Sequence, residues 1–232
     1  MAPALYVLLG RPYGETVALS LVYSVFTKIV GALQHIRQGT VVWNVTLLYG
    51  LSGIPAAILG SRMIYLAREE TRRLFPFVMG GALFLVAALL LLETALRSAV
   101  ARERPLSPDR LGPTGILVIV GIQQVIGVLL GLTSVGSGSL VVTSMLLLLR
   151  MPARNIVGSN LVIGLIMVIP AGVTHYFAGG VNWRLLAFLL LGSLVGAQLG
   201  SRVTMVMPER GLKLVIVALV MVAAVATIMK AW

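Results

Sequence analysis

The chain has 232 residues, of which 59% are hydrophobic and 11% charged, with a mean hydropathy of +1.02; a soluble domain carries about 25% charged residues. That composition excludes a soluble globular enzyme, and the absence of cysteine excludes disulfides, thiolate metal sites and thiol catalysis. The net charge of +11 does not describe a nucleic-acid surface, because the 18 Lys and Arg fall mainly in short connections, as in loops held at an anionic lipid surface.

In chain order, Met1 to Leu9 is apolar and has no basic lead-in, so it reads as a short apolar helix and not as a cleavable signal peptide. Spans are predicted over Thr16–Arg37, Val41–Leu66 and Leu74–Leu92, followed by the polar, Pro-containing linker "RSAVARERPLSPDRLGPTG". Further runs cover Gly115–Thr133, Ile156–Phe177, Leu185–Met207 and Leu212–Met229. Each is near the roughly 20 residues needed to cross about 30 Å of hydrocarbon. Alternation with period two is absent, so a β-barrel is excluded. The fold class is an all-α polytopic membrane protein.

Shifting the chain against itself by 140 positions pairs His35 with His175, Trp43 with Trp183, Pro12 with Pro152, and "LGSR" at Leu59–Arg62 with "LGSR" at Leu199–Arg202. The chain has only two histidines, and they are partners. An internal repeat follows, with a first half over 1–96, a linker over 97–114 and a second half over 115–232. Met1 aligns with Val141, so the first half begins within a repeat unit. An intact unit is expected to carry one more span ahead of it. Repeats of this kind are typical of secondary transporters, whose sites lie near the midplane between the halves.

The apolar stretch Gly115–Leu149 would be roughly 52 Å long as one helix, too long for one crossing. It is interrupted by "TSVGSGSLVVTSM", which predicts a break in the helix. Unpaired backbone groups at membrane depth are tolerated where they line a cavity or are buried in protein. A half-helix starting at Leu140 would turn its free N–H groups and positive dipole end into the break, which suits an anion. Ser137 and Ser139 would add hydroxyl donors, and Gly138 would let a ligand approach the backbone. The competing reading is close helix packing by small residues. Gly192, Gly196 and Gly200, spaced four apart, are assigned to packing alone.

Other intramembrane polar residues are few. Asn160 and its repeat partner Ser20 are candidates for two related positions facing one cavity. Lys28, near the middle of its span, is costly in lipid and is expected to face an aqueous or anionic site, with snorkelling to the interface as the alternative. Gln123 and Gln124 either reach the same cavity or, the favoured reading, bond a neighbouring helix, and both histidines are expected to bond at the interface near span ends rather than relay protons. Carboxylates are nearly absent from the spans, so a carboxylate proton relay is unsupported, and no pattern asks for a metal or cofactor. A faint protease-like reading of "VGSG" with His175 as base lacks its first glycine. That intramembrane hydrolase and a non-transporting or degenerate membrane protein are the alternatives to a transporter.

With these residues in hand, the chain resembles the TauE/SafE sulfite-exporter family over essentially its whole length. The resemblance rests on the repeat, on "GSGSLVVTSMLLLLRMPARNIVGSNLV", and on "HIRQGTVVW" and "HYFAGGVNW" leading into spans that end in "LGSR". The family's glycine-rich motif commonly continues into Pro-x-Leu. Here "PAL" at Pro3–Leu5 fits, whereas Thr143 stands at that proline's place in the second half. The resemblance implies inverted halves, a bacterial inner-membrane location, and transport of sulfite, sulfonates or related small sulfur-containing anions. The partners it implies are the bilayer and the anion.

Overall fold

The computed structural model describes residues 1–100, 112–136, 138–149, 151–178, 181–206 and 209–232, without the side chains of 92–100, 194–195, 197–206, 209–210 and 212–213. Ser137 and most of the predicted linker lie outside the described residues. Ten helices are present among them: α1 (Ala2–Leu9), α2 (Tyr13–Arg37), α3 (Trp43–Leu66), α4 (Glu69–Arg72), α5 (Phe75–Val100), α6 (Pro113–Thr133), α7 (Ser139–Leu148), α8 (Ala153–Phe177), α9 (Trp183–Val206) and α10 (Glu209–Ala231). Six stretches among the described residues are long and apolar enough to cross a membrane, in α2, α3, α4–α5, α6, α8 and α10. The chain is a multi-pass membrane protein.

The repeat seen in sequence sets the helix bounds. α2 and α8 each have 25 residues, α3 and α9 each have 24, and their starts are 140 positions apart. Pro12 and Pro152 cap α2 and α8 with nearly the same geometry, φ −54° and −58°, both with ψ 143°. Proline suits this place, because its fixed φ starts a helix and its missing N–H would have been unpaired there anyway.

Hydrogen bonds fix the directions. Tyr65 at the end of α3 bonds His175 at the end of α8, and Tyr13 at the start of α2 bonds Leu132 at the end of α6. At the other end, Val42 N–H donates to Ser159 Oγ near the start of α8. α2 and α8 therefore run antiparallel. Side chains along the pair agree: Gly172 faces Val22, and Gly31 faces Leu161.

The tightest packing is between α3 and α6. A methyl group on Gly60 would strike the Val128 backbone, and one on Gly131 would strike the backbone of Ala57 and Ser61. Small residues at this crossing let two backbones touch, the usual source of helix association where lipid removes the hydrophobic drive. Gly192 and Gly196, the glycines expected to mark an interface, meet nothing within 4 Å in this chain. The close interface lies instead on α3, α9's counterpart in the first half.

Candidate functional site: two helix N-termini and a polar interior

α6 ends at Thr133, Ser134 takes a left-handed conformation (φ 58°), and α7 starts at Ser139. Gly136 (φ 115°) lies beside Ile126 and Leu140. Ile126 is two turns before the end of α6, about 10 Å along its axis. The chain thus folds back inward before α7 begins. Both glycine positions serve this turn: Gly136 has a φ that disfavours side chains, and Gly138 (φ −122°, ψ −81°) precedes the first helical residue.

α1 reaches α2 through Gly10–Pro12, and α7 reaches α8 through a similarly short turn. Because α2 and α8 start at opposite ends of the molecule, α1 and α7 enter from opposite ends with their N-termini inward. Val135, just ahead of α7, packs against the cluster that holds Ala2 at the start of α1. Ala2, Leu5, Leu140 and Val141 are all buried. The C-terminal end of α1 is held by Lys230 of α10, whose Nζ donates to the carbonyls of Tyr6 (2.6 Å) and Val7 (3.2 Å).

The anticipated residues divide by place. Ser139 is the first residue of α7, Gly138 its cap, and Leu140 is buried in the core beside them. Asn160 and Ser20 are buried, and Asn160 Oδ1 and Ser20 Oγ have no hydrogen-bond partner among the described residues. They do not meet: with α2 and α8 antiparallel, Asn160 falls at the depth of Ala32, and Ser20 near Val173. Lys28 is half-buried and one turn from Ala32, hence near Asn160 in depth and about 12 Å along α2 from Ser20.

Further polar groups line the interior. Gln123 is fully buried with both amide atoms unpaired among the described residues, while Gln124 donates to Ser52 O of α3. Tyr49 is buried with its hydroxyl toward Ser144 of α7. Buried polar groups left unpaired cost free energy, and among the described residues such groups lie on α2, α6 and α8. The sequence offered Gln123 and Gln124 either the cavity or a helix–helix bond and favoured the bond, the role that Gln124 takes. Tyr49 carried no signal beyond its position inside a span.

His175 departs from the interfacial position its sequence suggested. It is fully buried, with Nδ1 2.6 Å from Tyr65 Oη and Nε2 3.3 Å from Gly131 O. His35, its repeat partner, stays near the surface with Nδ1 2.9 Å from Thr40 Oγ1. α6 covers one histidine and not the other.

A cavity of about 560 Å³ opens at the Tyr13/Tyr65 end, lined by Tyr13, Glu15, Tyr65, Glu69, Arg73 and Lys230 among others. None of the anticipated site residues lines it. No cluster of side chains suited to a metal ion occurs among the described residues.

The sulfite exporter TauE/SafE family model matches residues 1–227. The chain belongs to the TauE/SafE family. Among its relatives, the probable membrane transporter protein YjnA of Bacillus subtilis (strain 168) is 30% identical, the match covering 94% of this chain and 87% of that protein. The probable membrane transporter protein YdhB of the same organism is 26% identical over 87% of this chain and 79% of its own, and YunE 25% identical over 81% and 70%. No solved structure matches the chain. As a TauE/SafE member it is a membrane transporter.

Proposed function

We propose that this TauE/SafE protein is a secondary transporter that exports a small sulfur-containing oxyanion, sulfite or a sulfonate, across the bacterial inner membrane. The observation that carries the reading is the inward pair of helix N-termini, α1 and α7, in a core that leaves polar side chains unpaired. Each N-terminus presents free N–H groups and a partial positive charge. Together with hydroxyl and amide donors they offset the desolvation of an oxyanion.

In this reading α6 and α7 form one membrane-spanning unit broken at the Gly–Ser segment, and α1 is the matching half-helix of the first half. The halves, 1–96 and 115–232, are related by an inverted two-fold, with 97–114 as the connection. Equal helix bounds at an offset of 140 and the antiparallel course of α2 and α8 support this relation. Ser137, Gly138, Ser139 and the backbone at Leu140 cradle the anion from one side. Lys28 and Asn160 approach from α2 and α8, and Ser20 extends the path toward the Tyr13/Tyr65 end. No carboxylate is assigned to the path, which favours an anion as cargo. Uptake of labelled sulfite and methanesulfonate into proteoliposomes, compared with empty vesicles and with an amino-acid cargo, tests both transport and substrate class.

A further inference from the structure

His175 is a buried titratable group that this anion path does not use. A carbonyl oxygen only accepts, so the contact with Gly131 O places a proton on Nε2. In the neutral ring Nδ1 is then an acceptor, and the Tyr65 hydroxyl donates to it at 2.6 Å. Tyr65 is also a wall of the 560 Å³ cavity, where Gly14 in the first turn of α2 lies next to its hydroxyl. Imidazole, phenol and cavity therefore form one line.

A proton arriving on Nδ1 reverses this line. Nδ1–H donates to the tyrosine oxygen, and the tyrosine O–H becomes free to donate into the cavity. We propose that the cavity binds a small monovalent oxyanion on the Tyr65 hydroxyl and that His175 takes up one proton from water as it binds.

The charges around the pair favour this coupling. From α2, Glu15 faces the cavity 3.8 Å from Arg11, and the Tyr13 hydroxyl is engaged by Leu132 O. From α4 and its end, Glu69 lies 3.8 Å from Arg72, with Arg73 beside them. From α10, Lys230 is held by the carbonyls of Tyr6 and Val7, and α6 presents only the Gly131 carbonyl. Among the described residues no carboxylate bonds His175. A buried imidazolium needs a counter-charge, and an anion on Tyr65 provides it. Protonation and anion binding then strengthen each other, by the reciprocity of linked sites.

This inference rests on the anion-transport reading, and the test separates the two. Full-length protein in proteoliposomes is assayed from pH 5.5 to 8 with labelled methanesulfonate, which carries no proton of its own over that range. One proton per anion predicts an apparent affinity that rises as pH falls, by up to about tenfold per unit. His175→Gln should flatten the dependence to less than about twofold across the range. Tyr65→Phe, which keeps the ring and its packing, should remove most of it. Wild-type uptake that ignores pH, or a His175→Gln protein with the wild-type profile, overturns the coupling and leaves transport standing. If His175→Gln does not fold, an unchanged profile in Tyr65→Phe overturns it equally. No uptake of methanesulfonate or sulfite by the wild type removes the transport reading, and this one with it.

Discussion

Lys28 is a cation about two and a half turns from the nearer end of α2, half-buried and close in depth to Asn160 on the facing helix α8. Holding a charge there is expensive in lipid, and in the proposed path a bound anion offsets part of that cost. A charge-assisted hydrogen bond contributes about 1.5–3 kcal/mol and a neutral one about 0.5–1.5. Lys28→Ala should therefore reduce sulfite or sulfonate uptake by tenfold or more with the protein still monodisperse, and Asn160→Ala by a few-fold. Wild-type uptake in Lys28→Ala would remove Lys28 from the path. Both residues stood out in the sequence because polar side chains are rare in these spans. The exclusion of Ser20 from their neighbourhood did not, because repeat alignment pairs positions without saying which way each helix runs. His175 was hidden for a similar reason: its environment is made by Tyr65 and Gly131, more than forty positions away in each case.

The α3–α6 crossing is the element-level feature that the structure adds. Gly60, Gly127 and Gly131 place the two backbones in contact, and any side chain there must push helices apart. Gly131→Val should destabilise the folded protein by at least about 3 kcal/mol, at the upper end of overpacking costs, read as a lowered midpoint of thermal unfolding in detergent. Gly121→Ala, whose added methyl would meet nothing within 4 Å, should leave the midpoint within a degree or two. Equal effects of the two would show that α3 and α6 do not touch. The spacing of these glycines was present in the sequence, but so was that of Gly192, Gly196 and Gly200. Spacing alone does not say which stripe has a partner. At the C-terminal end of α1, Lys230→Met removes the donor that satisfies the Tyr6 and Val7 carbonyls. Amide hydrogens of residues 2–9 should then exchange faster while those of α2 do not change. Unaltered exchange in α1 would mean that Lys230 does not anchor it.

For the whole molecule, the antiparallel course of α2 and α8 fixes which ends share a membrane face. Because the chain has no cysteine, single substitutions can be labelled without background. Gln38→Cys and Ala153→Cys, both at exposed sites, should react from one side of a sealed vesicle. Arg68→Cys and Ala178→Cys, also exposed, should react from the other. Mixed accessibility within either pair would break the inverted arrangement. The helical class and the positions of most helices were legible in the sequence, since length, hydropathy and proline placement are local properties. The inward course of the chain ahead of α7 was only half legible: "GSGS" interrupts the apolar run, but the fold beside Ile126 depends on packing against α6. The most direct measurement is anion flux itself. Purified wild-type protein in proteoliposomes should take up labelled sulfite or methanesulfonate saturably and above empty vesicles, with Lys28→Ala at least tenfold slower. Uptake no faster than through empty vesicles, by a protein that is folded and inserted, would contradict anion transport.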